Sequence, residues 1–254
     1  MYRDMIVVES NRELKELIKQ RIREQGPNCD LNDIDVTHIT DMSYLFYNLV
    51  FNGDISDWDV SRVKNMTDMF ALSTFSGDIS GWDVSSVENM NSMFLSSKFD
   101  GDISSWNVSS VKSMNSMFEG SVFNGDISKW DTSNVRDMSY MFSGSEFDGD
   151  ISDWDVSRVV NMRCMFSCSE FNKDISKWDV SRVRDMESMF YHSKFNGDIS
   201  TWNVGQVMDM AFMFAWSQLT SDISKWDVSQ VESKYCMFVE SPLEGREPSW
   251  YKAN

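Results

Sequence analysis

The chain has 254 residues, 40 of them acidic and 23 basic, with a formal net charge of −17. That balance excludes a protein held on nucleic acid by general phosphate neutralisation, which needs an excess of Lys and Arg. The four cysteines, Cys29, Cys164, Cys168 and Cys236, show no CxxC spacing, so neither a disulfide framework nor a zinc knuckle is expected and reduced thiols are the default.

In chain order, the apolar run Met5-Ile-Val-Val8 is too short for the hydrophobic region of a secretory signal, and no lipidation cysteine follows it. No apolar run is long enough to span a membrane. The expected location is therefore cytoplasmic, with no membrane partner. Ile6-Val-Val-Glu9 predicts a strand, Ser10-Asn-Arg-Glu13 a capping box, and the residues after it a helix to about Glu24 that stops at Gln25-Gly26-Pro27. Residues 1–26 form the expected N-terminal cap, with Leu14, Leu17, Ile18 and Ile22 sealing the first turn of a repeat region.

That region begins at residue 27. Trp58, Trp82, Trp106, Trp130, Trp154, Trp178, Trp202 and Trp226 are spaced by 24 residues without a slip, and Trp250 continues the register. Full turns begin at Phe51, Phe75, Phe99, Phe123, Phe147, Phe171, Phe195 and Leu219, after a degenerate turn over residues 27–50. Positions are numbered here as slots 1 to 24 of each turn, starting at those residues. Slots 4 to 10, Asp54-Ile-Ser-x-Trp58-x-Val60 in the first full turn, predict a short strand bounded by Gly53. Slots 11 to 20, Ser61-x-Val63-x-x-Met66-x-x-Met69-Phe70, predict a short helix, with Ser at the N-cap and apolar residues at three- and four-residue spacing. Each unit has an apolar face that it cannot bury alone, so neighbouring turns must stack. The expected fold is α/β: a right-handed, leucine-rich-repeat-like solenoid of about nine 24-residue strand-helix turns over residues 27–242. A parallel β ladder links the turns, and residues 243–254 form a C-terminal cap or tail.

The recurring Gly-Asp-Ile-Ser-x-Trp-Asp-Val-Ser-x-Val-x-x-Met-x-x-Met-Phe closely resembles the BspA-like leucine-rich-repeat family, also known through mycoplasma surface lipoproteins, over about residues 30–241. The stretch from Ser10 to Phe46 also resembles the helical cap and first turn of bacterial members. The resemblance implies an α/β solenoid of leucine-rich-repeat type that is non-enzymatic and used for protein–protein contact. Many members are surface adhesins; without a recognisable signal, that location is not carried over.

Several columns invite a functional reading. Slot 4 is Asp in every full turn: Asp54, Asp78, Asp102, Asp126, Asp150, Asp174, Asp198 and Asp222. Stacked carboxylates repel, so the expectation is that backbone N–H groups hold them, as Asx turns do; the alternative is a free acidic ladder mimicking DNA. Slot 9 adds Asp59, Asp83, Asp131, Asp155, Asp179 and Asp227, with Asn107 and Asn203 in the other two turns. Nothing matches an EF-hand loop. Sixteen of the 19 methionines, counting Met42, fall in the two Met columns, which is core packing by flexible thioethers. No nucleophile and base pair stands out, and the only histidines are His38 and His192. Cys164, Cys168 and His192 lack a fourth zinc ligand, so no metal and no cofactor are expected.

Residues that break the repeat are the better candidates. Slots 18, 21 and 22, on the predicted helix face away from the core, hold Tyr140, Tyr191, His192, Phe212 and Trp216, with Cys164 and Cys168 beside them. At slots 18 and 22 the earlier full turns mostly carry Ser, Gly or Asp. Exposed aromatics concentrate binding energy, so turns six to eight are the expected protein-binding patch unless the chain end folds over it. Slot 12 carries Arg62, Arg158 and Arg182, and slot 14 Lys64, Lys112, Arg136 and Arg184; the ordinary reading is a solvated face. The sequence thus points to a non-enzymatic scaffold that binds another protein and no nucleic acid directly. The alternatives are an acidic, DNA-mimicking inhibitor of a nucleic-acid-binding enzyme and an adhesin exported without a recognisable signal.

Overall fold

The computed structural model describes residues 5–251; the outermost residues of the expected caps, 1–4 and 252–254, lie outside that range. Strand β1 (Ile6–Val7) leads into helix α1 (Asn11–Gln25), and β1 pairs in parallel with β2 (Ile34–Asp35), Ile6 opposite Ile34. The Ser10 hydroxyl accepts the Glu13 N–H at 3.2 Å and caps α1. The Glu13 carboxylate reaches back one residue further than a capping box requires, to the Glu9 N–H at 2.9 Å. Gly26, at φ 89°, ends the helix in a conformation that disfavours residues with a Cβ. Leu14 and Ile18 are fully buried and Leu17 and Ile22 pack beside them, so the apolar stripe of α1 lies on the first turn.

After β2 the expected strand-helix alternation is not what forms. Over slots 4 to 13 the chain closes two successive turns, with Trp58 N–H donating to Ile55 O at 3.2 Å and Val63 N–H to Val60 O at 2.9 Å. Over slots 16 to 23 no helix forms, because slots 18 and 22 are left-handed: Asp68 and Leu72 have φ of 54° and 57°, and the same sign recurs in every later turn. A right-handed helix cannot pass through such residues. Amides alternate instead. Met66, Asp68, Phe70 and Leu72 donate across to the carbonyls of Asn89, Asn91, Met93 and Leu95 in the next turn, at 2.8 to 2.9 Å, while Met69, Ala71 and Ser73 donate three residues back within their own turn. A left-handed third residue is what a type II turn requires. The parallel pairing between turns is a chain of single-residue bridges at slot 15, running Asp41, Asn65, Asn89, Ser113, Asp137, Asn161, Asp185, Asp209 and Ser233.

The helix expectation failed for an instructive reason. Val63, Met66, Met69 and Phe70 are all fully buried, as a helical stripe would be, but consecutive tight turns also return a side chain inward every three or four residues. Periodicity alone does not separate the two.

Stacking places like on like. Phe94 lies 5.7 Å from Phe70 and 5.7 Å from Phe118, with planes within 8°, and touches Phe99 of the next slot-1 column at 4.4 Å. Such offset rings add attraction beyond the area they bury. Each column Trp sends its indole N–H to a carbonyl of the preceding turn, Trp82 to Ile55 and Trp130 to Ile103, at 3.2 and 3.1 Å. A large aromatic is thereby buried with its one polar group satisfied.

Candidate protein-binding surface

Slots 18 and 22 are the corners of the turn; slot-22 residues are exposed, whereas those of slot 18 are mostly half-buried. Trp216, at slot 22, is 42% exposed, and His192, the equivalent residue one turn earlier, is exposed too. Tyr191 meets Trp216 edge to face, with ring centroids 5.4 Å apart and planes at 67°. These three residues, with Cys168, line a groove of about 600 Å³ whose rim carries Glu170 and Lys194. Glu170 and Lys194 form an ion pair across successive turns.

The other two expected residues lie elsewhere. Phe212 packs edge to face on Tyr235, at 5.3 Å and 81°. The Tyr140 hydroxyl accepts from Arg163 Nε at 2.9 Å, and Arg163 is itself forked on Glu187 with Nη2 to Oε1 at 2.6 Å. A helical face would have gathered slots 18 and 22; the turns separate them into distinct corners. The described end of the chain does not cover the groove, since Trp250 and Tyr251 lie on Phe238 instead. Sequence reasoning missed Tyr235, which is 69% exposed at slot 17 of the last full turn, where no column marks it out. The Glu170 and Lys194 pair was legible, as opposite charges 24 residues apart in a 24-residue repeat.

The Asp column has a double character. All eight slot-4 carboxylates are exposed, yet each Oδ1 accepts the N–H of the Ser two residues on, at 2.9 to 3.0 Å. Those backbone bonds, joined by the serine hydroxyls, hold Asp78, Asp102, Asp126, Asp150 and Asp174 below the usual carboxylate range. One oxygen organises the turn while the charge stays at the surface. Among the described residues no cluster of three or more His, Cys, Asp or Glu is arranged to hold a metal, and burial pushes the Cys164 thiol up rather than activating it. No helix among them is long and apolar enough to cross a membrane.

Compared with known proteins, residues 13–122, 96–194 and 167–244 match successive copies of a family whose description reads Mycoplasma protein of unknown function, DUF285. No curated protein and no solved structure matches.

Proposed function

This chain belongs to the repeat family described as Mycoplasma protein of unknown function, DUF285, and from the geometry of its exposed aromatic corner we propose that it is a non-enzymatic scaffold binding another protein through the groove of Tyr191, His192 and Trp216. The scaffold in this reading is a right-handed solenoid of the BspA-like leucine-rich-repeat kind. The observation that carries the proposal is the Tyr191–Trp216 pair, two large rings held edge to face at 5.4 Å on a stacked frame with the indole 42% exposed. Rigid aromatics beside a charged rim are the usual composition of an interaction hot spot. The recurring serines support a non-catalytic role, because their hydroxyls serve the turns, as Ser80 Oγ does on Asp78 at 2.7 Å.

The test is a pulldown from lysate with wild type and with Tyr191→Ser/Trp216→Ser at low and high salt. A partner should survive high salt and be lost with the double variant, since each hot-spot ring contributes at least about 2 kcal/mol, while the thermal midpoint moves little because both side chains lie outside the core. Retention by the double variant would remove the groove from consideration. A second reading, the acidic mimic, is favoured by the eight exposed slot-4 carboxylates. It requires partners that salt releases and that Asp→Asn changes in that column abolish.

A further inference from the structure

Charge on this chain is sorted by slot. Although the chain carries −17 overall, slot 12 holds Arg62, Arg158 and Arg182 and no acidic residue. Slot 14 holds Lys64, Lys112, Arg136 and Arg184 against Glu88 and Glu232. All of these cations are exposed. The intervening slot-13 valines, Val63 through Val207, are fully buried, so the residues on either side must point outward. Slot-14 amides bond directly to slot 14 of the preceding turn, Arg136 to Lys112 and Val160 to Arg136, both at 2.9 Å, which fixes the column at one position per turn.

Two abutting clefts open along this stripe. One, of about 320 Å³, has Lys64, Lys112, Arg136 and Arg158 in its walls; the other, of about 420 Å³, is lined by Arg136, Arg158, Val160 and Arg182. Arg136 and Arg158 belong to both. Neutralisation of neighbouring acids accounts for part of the stripe. Lys112 pairs with Glu88, and Arg158 donates to Asn134 Oδ1 at 2.6 Å and adds a minor share to the Ser157 hydrogen bonds that hold the Asp155 carboxyl below the usual range. It does not account for Arg136 and Arg182, neither of which makes an ion pair among the described residues.

We propose that this stripe is a docking groove for an extended acidic polypeptide segment lying along the stack. Arginine's planar fork takes a carboxylate with two parallel bonds. Turns joined by β-bridges rise about 4.8 Å each, so the five steps from the Lys64 turn to the Arg184 turn span about 24 Å, the length of roughly seven extended residues. Same-face side chains of such a segment recur about every 6.6 Å, and the stripe sets seven cations, Arg62, Lys64, Lys112, Arg136, Arg158, Arg182 and Arg184, along those six turns. Single-stranded nucleic acid fits less well. Neither cleft has an aromatic side chain among the described residues to stack a base. This surface is separate from the Trp216 groove and stands or falls independently of it.

The experiment is fluorescence anisotropy of labelled octaglutamate against the full chain, with an eight-residue oligothymidylate in parallel, at about 50 and 300 mM NaCl, which brackets the screening range. Saturable octaglutamate binding should weaken about tenfold or more at the higher salt. It should weaken by a similar factor in Arg136→Gln/Arg158→Gln/Arg182→Gln and by less in Arg182→Glu alone, whose side chain touches no carboxylate. Trp216→Ser should leave it intact. Absence of saturable binding, binding that both arginine variants keep, or tighter binding of oligothymidylate than of octaglutamate would each overturn the proposal.

Discussion

Along slots 16 to 22 the groups facing away from any neighbouring turn are carbonyls at the N-terminal end of the stack and amides at the C-terminal end. This arises from the direction of the slot 16 to 22 bonds, in which each turn donates to the one after it. The first turn therefore presents the carbonyls of Asp41 and Ser43, and the side-chain amide of Asn11 donates to both at 3.0 Å. The last turn presents N–H groups, and that of Glu240 is taken by the Glu244 carboxylate at 2.8 Å. A donor closes the end that shows acceptors and an acceptor closes the end that shows donors. Apolar cover differs as well. A buried helix stripe seals one end, whereas Trp250 and Tyr251 lie partly buried on Phe238 at the other, with Trp250 Nε1 still making the column bond to Ile223 O at 3.0 Å. The stack has a direction, and its two caps are not interchangeable.

Changes at three positions test this asymmetry, taken from the largest effect to the smallest. Ile18→Ala opens a cavity under the helical cap and should cost about 3 kcal/mol. In a stack where each turn touches only its neighbours, the loss should appear in hydrogen exchange as faster opening of the first turns with the last ones unchanged; uniform opening would mean that the stack melts as one unit. Trp250→Ala should cost about 2 kcal/mol, below the range for a fully buried Trp because the ring is only partly covered, and its exchange signature should sit at the opposite end. Asn11→Ala should cost about 1 kcal/mol by leaving two carbonyls without their donor. Asn11→Asp should be worse in a chemical-denaturation series, since it sets a carboxylate against the same two carbonyls; equal midpoints for the two variants would show that solvent, and not Asn11, satisfies that edge.

The period, the inward columns and the polarity of each turn's Asp-x-Ser segments were legible in the sequence, because a repeated hydrogen bond leaves a repeated residue. The cap helix was legible too, from Ser10 at its start and Gly26 at its end. The strand and helix within the turn were not, since left-handed residues at slots 18 and 22 are Ser, Asp, Tyr, Cys, Phe or Trp far more often than Gly, and nothing in those side chains announces a positive φ. The same blind spot scattered the expected patch. Tyr191, His192 and Trp216 share a groove because slots 21 and 22 adjoin at one corner, while Tyr140 and Phe212 stand at another.

Those corner residues have a consequence for how such a chain can change over generations. A non-glycine residue in the left-handed region costs about 1–2 kcal/mol, a penalty already present at both corners of nearly every turn whichever side chain stands there. The amide of Ser92 bonds Asn115 O at 2.8 Å and that of Phe212 bonds Tyr235 O at 2.9 Å, so a small hydroxyl and a phenyl ring leave the same backbone connection. At slot 22, where Leu72, Ser96, Cys168, His192 and Trp216 are exposed, substitutions should therefore perturb folding little while changing what the surface presents. The slot-22 surface is thus able to change one turn at a time on an unaltered frame.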